Sequence, residues 1–175
     1  MPLFTTREPR LEEAPKLANL GRQTFVETFA HLYRPEDLET FLAEKYDPLA
    51  IARELTDPDL RYQVVEHEGK LVGFIKIGPL SLPVTHPPSR SGEIKQLYLL
   101  QDHLSRGLGR RLMAWAFEQF SANHTTEIFL SVFSENERAI RFYQSFGFTK
   151  CGEYHYPVGE QLDLEWIMVL SEPDF

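Results

Sequence analysis

The segment His103-Leu104-Ser105-Arg106-Gly107-Leu108-Gly109-Arg110 constrains this chain more than any other. It joins an alternating apolar run, Ile94 to Leu100, to a run of helical period that continues to about Phe120. Glycines at 107 and 109 leave no Cβ between the backbone and a ligand. A helix that starts here presents free N–H groups and partial positive charge. Arg106, Arg110 and Arg111 add full charges. Strand, glycine loop and helix N-terminus together make a cradle for a pyrophosphate-like anion. The plain alternative is a tight turn in which the glycines serve geometry alone. No Gly-Lys-Ser/Thr follows, so this is not a Walker loop, and a third glycine for a dinucleotide fingerprint is missing.

The rest of the chain reads as mixed α and β. Leu3 to Thr6 is a short strand, and Leu11 to about Leu32 is helical, with a possible break at Gly21. Pro35 opens a helix carrying Leu38, Phe41 and Leu42. Asp47-Pro48 opens another, which ends at Asp57-Pro58. Tyr62 to Glu66 and Leu71 to Ile77 are strands around a Glu68-Gly69 turn. A loop rich in proline runs from Pro79 to Gly92. Glu127 to Val132 is a strand, and Asn136 to Phe146 is a helix stopped by Gly147. Phe148 to Tyr154 and Leu162 to Leu170 are the last strands.

At 175 residues the chain is expected to form a single domain, residues 1–175. One cysteine, Cys151, excludes an internal disulfide framework. No run reaches the roughly 18 apolar residues of a membrane span, and Met1 to Arg10 lacks a signal pattern. A cytoplasmic protein that does not act on membranes is expected. Lys plus Arg total 18 against 26 Asp plus Glu, a formal charge of −8. That balance argues against nucleic-acid binding. Residues 1–60 are acidic, whereas Arg90, Lys95, Arg106, Arg110 and Arg111 make the stretch from 90 to 111 basic. An anion is expected at the basic stretch and a cation elsewhere. The six histidines show no metal-ligand spacing, so no metal is expected.

A second signature follows the strand at 127–132: Asn136-Glu137-Arg138-Ala139-Ile140-Arg141-Phe142-Tyr143-Gln144-Ser145-Phe146-Gly147-Phe148. Here the chain resembles the GNAT superfamily of N-acetyltransferases. That family pairs a (Gln/Arg)-x-x-Gly-x-Gly/Ala loop with Asn-x-x-Ala-x-x-Phe-Tyr-x-x-x-Gly-Phe, in this order and at about this separation. The second motif matches at every named position, while Leu104 stands at the Gln/Arg position of the first. The resemblance runs from Leu3 to Leu170 and is strongest from 92 to 150.

It implies an α/β (α+β) fold: a mixed, mostly antiparallel sheet flanked by helices and splayed between the strands near 97 and 130. It also implies transfer of an acetyl group from acetyl-CoA, as co-substrate, to a primary amine. Leu97, Tyr98 and Leu99 would run beside the pantetheine arm, pairing with its amides as a further strand would. Ser105, Arg106, Gly107, Leu108, Gly109 and Arg110 would hold the pyrophosphate, and Asn136 would touch the arm. Tyr143 is the candidate proton donor to the departing CoA thiolate; a phenol has a pKa of about 10 and a thiol about 8.5. Its plain alternative is a core tyrosine. Glu93 is the candidate base for the attacking ammonium, on the same strand face as Lys95 and Leu97 by period-two counting unless a bulge intervenes.

The stretches Thr24 to Phe29, Pro35 to Leu38 and Phe41-Leu42 are similar to bacterial polyamine acetyltransferases of the PaiA type. That branch acetylates spermidine and spermine. Phe25, Glu27, Phe29 and Glu36 are then the candidate acceptor residues, acids attracting a polycation and aromatics packing on it. Solvated helix faces are the simpler reading of any single acid. Two alternatives stay open: a protein N-acetyltransferase acting on a terminal amine or lysine, and a non-catalytic acetyl-CoA-binding module. The resemblance also allows a homodimer through the C-terminal strands around Trp166.

Overall fold

The computed structural model describes residues 3–173; the parts of the expectations above that fall on Met1, Pro2, Asp174 and Phe175 lie outside it. Seven strands form one sheet: β1 (Phe4–Arg7), β2 (Arg61–His67), β3 (Lys70–Pro79), β4 (Ser91–Leu99), β5 (Glu127–Phe133), β6 (Thr149–Val158) and β7 (Gln161–Ser171). Their order is β1-β2-β3-β4-β5-β7-β6. Every neighbouring pair is antiparallel except β4 with β5. Among the described residues five α-helices flank the sheet: α1 (Ala14–Phe29), α2 (Pro35–Lys45), α3 (Pro48–Thr56), α4 (Leu108–Ala122) and α5 (Glu137–Gln144).

Local chemistry sets these elements. The Asp47 carboxylate caps α3, accepting from the amides of Leu49 and Ala50 at 3.4 and 3.1 Å. Glu68 and Gly69 both take positive φ, the conformation that lets a two-residue turn follow the twist of β2 and β3. Helix α1 runs unbroken through Gly21, contrary to the expected break. A Cβ there would lie 2.4 Å from Tyr46 Cε1, so the glycine makes room for that ring instead.

Both faces of the sheet are covered, which explains the near-continuous apolar run of β3. On one face Leu112, Met113 and Ala116 of α4 pack against Ile75, Ile77, Ile94 and Ile128. On the other, Leu17, Phe25, Leu42 and Ile51 of α1 to α3 pack against Val64 and Phe74.

Two irregularities position the site. β4 and β5 pair only from Ser91↔Glu127 to Ile94↔Leu130. Beyond Ile94 the strands part, while β4 stays paired with β3 as far as Leu99. The β5-facing edge of β4 therefore carries unpaired backbone groups along the gap. The second irregularity is a bulge: Ile77 faces Ile94 and Lys76 faces Gln96, leaving Lys95 as the extra residue. It overturns the period-two count. Ile94 and Leu97 share the α4 face, and Glu93 lies on the opposite face from Leu97.

Candidate active site

A groove of about 590 Å³ follows the gap between β4 and β5. Leu97, Tyr98 and Leu99 form one wall; Asn136, Ala139, Phe142 and Tyr143 form the other; Ser105, Gly107, Leu108, Gly109 and Arg110 close the far end. Gly107 precedes α4 with φ 75°, and no side chain caps this end. The first intrahelical bond runs from Arg111 N–H to the Gly107 carbonyl, so the Leu108, Gly109 and Arg110 amides are free. A Cβ on Gly109 would come within 3.1 Å of Phe142, so the glycine also sets the approach of α4 to α5.

Among the expected cofactor residues, Arg106 alone does not line the groove. Its guanidinium sits 5.9 Å from the Phe4 ring centroid, over β1. Arg111 also turns away and donates to the Phe4 carbonyl at 3.0 Å. The groove's cations are instead Arg110, which donates to Ser145 Oγ at 3.1 Å, and Arg138, which donates to Ser105 Oγ at 3.1 Å.

These features fit acetyl-CoA. An unpaired strand edge suits the amides of a pantetheine arm. Free helix amides with two flanking arginines suit a pyrophosphate. The donor set holds oxygen and nitrogen groups of the kind such a ligand needs, and among the described residues no cluster of His, Cys, Asp or Glu could hold a metal ion.

A second cavity, of about 130 Å³, opens on the same junction. It shares Leu97, Tyr98, Asn136, Ala139 and Tyr143 with the groove. Tyr143 is buried on α5 against Phe142 and Phe148, and its hydroxyl makes no hydrogen bond among the described residues. Burial pushes its pKa well above the usual phenol value, so it stays protonated across the physiological range.

The far wall of this cavity comes largely from β7, which the sequence alone did not assign to the acceptor. Phe25 and Phe29 line it as expected, but they are joined by Tyr33, Lys45, Tyr154, Tyr156, Asp163 and Glu165. Asp163 is buried on β7; the Tyr33 hydroxyl donates to its Oδ2, and Gln161 Nε2 donates to its Oδ1 at 2.7 Å. Glu165, two residues on, has no hydrogen bond or ion pair among the described residues. Burial, and then the Asp163 charge, push its pKa up to about 7, and Lys45 partly opposes them. Burial pulls Lys45 itself down to about 8.

The remaining candidates fall elsewhere. Glu27 faces the cofactor groove, where its Oε2 accepts the Gln101 amide at 2.8 Å and ties α1 to the chain after β4. Glu36 is exposed on α2 and away from the cavity. Glu93 is buried but does not line the cavity: Lys95 Nζ lies 3.2 Å from Glu93 Oε2, which also accepts the Ser81 amide at 2.7 Å. The acids at the cavity come from β7, not from the first helices. The sequence carried one signal for them. Asp163 and Glu165 alternate with Leu162 and Leu164, and in the structure Asp163 points inward while Leu162 is 63% exposed. A strand that turns its acids inward calls for a functional explanation.

The sequence profile of the acetyltransferase (GNAT) family matches residues 26–148. An uncharacterized N-acetyltransferase of Lactobacillus delbrueckii subsp. lactis is 25% identical over 157 residues, covering 90% of this chain and 91% of that protein. A spermidine N(1)-acetyltransferase of Thermoplasma acidophilum is 23% identical over 146 residues, 81% of this chain and 86% of that one. The crystal structure of a PaiA N-acetyltransferase from Thermoplasma acidophilum in complex with coenzyme A superposes with a TM-score of 0.79, at 21% identity and covering 97% and 99% of the two chains.

Proposed function

The chain belongs to the acetyltransferase (GNAT) family, and from that premise we propose that it acetylates a small primary amine held in the cavity between α1, α2 and β7. It is an acetyl-CoA-dependent N-acetyltransferase. Acetyl-CoA supplies an activated acyl thioester. The groove residues named above hold it: Leu97 to Leu99 along the arm, the free amides of 108 to 110 with Arg110 and Arg138 at the phosphates, and Asn136 near the junction.

Two side chains act on protons. The acceptor arrives as an ammonium with a pKa near 10.4 and must lose a proton before its nitrogen can attack. Glu165 is the acceptor of that proton: it lines the cavity, no hydrogen bond or ion pair engages it among the described residues, and burial has moved it towards neutrality. Tyr143 donates its phenolic proton to the sulfur as the C–S bond breaks and the C–N bond forms, and the proton that the nitrogen sheds on becoming an amide restores the phenol. We assign the base to Glu165 rather than Glu93. The Glu93 carboxylate is engaged by Lys95 and Ser81, and its role is to hold the chain after β3.

The observation that carries this reading is the meeting of two cavities at Tyr143, one suited to acetyl-CoA and one bearing an unpaired carboxylate. A peptide acceptor is disfavoured by the roof over that second cavity. The α1–α2 connection is bonded to the β6–β7 hairpin by Tyr33 to Asp163 and by Arg34 to Glu160 at 3.1 Å. A polyamine acceptor is the second reading; the similarity to a spermidine N(1)-acetyltransferase and the aromatic walls favour it. The test is thiol release from acetyl-CoA over a panel of mono-amines, amino acids, polyamines and N-terminal peptides. Saturable release with a small amine is expected. Release with peptides alone, or with nothing in the panel, would overturn the proposal.

A further inference from the structure

Once the internal pairs around the acceptor cavity are matched, two charges are left over. Lys95 is matched by Glu93 at 3.2 Å, and Asp163 by its bonds from Tyr33 and Gln161. Glu165 stays unpaired. So does Lys45, at the C-terminal end of α2: among the described residues no carboxylate lies within the 4.0 Å that defines an ion pair. Its ammonium lies 5.3 Å from the ring centroids of both Phe41 and Tyr156. Lys76, the other nearby cation, is bound to Glu54 at 3.2 Å.

An ammonium held among aromatic rings at a cavity wall is costly to bury without an anion. Burial, and then the Lys76 charge, lower its pKa only to about 8, partly opposed by the more distant Glu165 and Glu54, so it remains mostly charged at neutral pH. It also occupies the ring faces that a ligand cation would use, because Phe41 and Tyr156 already hold a positive charge. A second ammonium on the acceptor would meet this lysine in a poorly solvated space, where like charges repel strongly.

We infer that the acceptor carries an anionic group, a carboxylate or a phosphate, in addition to its amine, and that Lys45 is the residue that reads it. This rests on the proposed amine-acetyltransferase reading and narrows its acceptor class. Glu165 receives the ammonium end and Lys45 the anionic end, so the ligand's charges complement the two that the protein leaves open. The inference sets this chain apart from a polycation acetyltransferase, whose cavity would need surplus negative charge.

The test compares ω-amino acids and aminoalkyl phosphates with alkylamines and α,ω-diamines of matched chain length, using the intact protein, thiol release and calorimetric binding. Wild-type protein should favour the best amine-acid or amino-phosphate over the matched monoamine by about tenfold or more in kcat/KM, the size of one ionic contact. The diamine should be worst. Lys45→Gln should erase that preference by raising KM for the anionic acceptor about tenfold or more relative to that for the monoamine. Lys45→Glu should favour the diamine. The inference is overturned if wild-type protein prefers the diamine or spermidine, if Lys45→Gln leaves the ratios unchanged, or if neither anionic series is bound or turned over better than its monoamine. Turnover of monoamines with no such preference would sink this inference alone. Absence of turnover with every amine would sink the acetyltransferase reading as well.

Discussion

Replacing Glu165 by glutamine separates what this carboxyl costs the fold from what it does for the reaction. Its pKa rises from the ordinary 4.5 to about 7 because β7 carries it into a half-buried site beside Asp163. A folded state that binds a proton more tightly than the unfolded chain loses stability as pH rises. The loss begins near pH 4.5 and is complete just above pH 7. Each pH unit between the two values corresponds to about 1.4 kcal/mol, so the ionised carboxyl costs the fold at most about 3.5 kcal/mol. Partial exposure to the cavity lowers that to about 2 kcal/mol. Glutamine removes the cost, so Glu165→Gln should melt about 4–8 °C above wild type at pH 8. At pH 4.5 and below the two proteins should melt together.

The rate should move the other way. A carboxylate that titrates near 7 is about one-tenth ionised at pH 6, so wild-type kcat should fall about tenfold per unit below neutrality. Proton transfer from an amine of pKa about 10.4 to this group crosses a gap of about three and a half units, against about six for an ordinary glutamate. Glu165→Gln should lower kcat by about 10²–10⁴ and abolish the acid limb near pH 7, with acetyl-CoA affinity unchanged. Thermal melts from pH 4 to 8 and pH–rate profiles provide both readouts. A stability gain at pH 8 with a wild-type rate profile would refute the base assignment and leave the burial argument standing. No pH-dependent stability difference would refute the burial argument.

Tyr143→Phe should lower kcat by about 10²-fold or more while calorimetry finds acetyl-CoA binding preserved, since the ring still packs against Phe142 and Phe148; a kcat within twofold of wild type would remove the proton-donor role. Gly107→Val should raise KM for acetyl-CoA and cost about 1 kcal/mol or more of stability, because φ is 75° and a β-branched residue resists that conformation; steady-state kinetics and denaturant melts measure both effects. Glu13 is buried and accepts from Arg7 at 2.8 and 2.7 Å, and this pairing lowers its pKa to about 2. Its contribution is therefore complete above pH 4.5 and is lost as pH falls towards 2, so Glu13→Gln should destabilise by about 2 kcal/mol at pH 7 and by progressively less in acid.

The parts of this protein that were legible in the sequence are those fixed by local chemistry. The turn at Glu68-Gly69, the cap at Asp47, and the loop and helix that cradle an anion all follow from residue types within one or two turns of chain. What stayed hidden depends on contacts between distant segments. Gly21 reads as a helix breaker until Tyr46, twenty-five residues later, is seen to need its space. The bulge at Lys95 shifts the strand by one residue and turns Glu93 away from the face that counting gave it. Arg106 belongs to a basic run that suggests phosphate, yet the nearby β1 takes its side chain, and Arg138, thirty-two residues away, stands at the groove instead. The acceptor cavity was the least legible part, since its walls come from α1, α2, β4, β5, α5, β6 and β7 at once. Acids on the early helices were the visible cue for a cationic ligand, but Glu27 holds a backbone amide and Glu36 faces solvent. Cofactor recognition here uses backbone groups at a strand edge and a helix end, and therefore leaves a compact signature. Acceptor recognition uses single side chains from seven elements, and its charge balance exists only after Lys45 and Glu165 have been brought to one cavity.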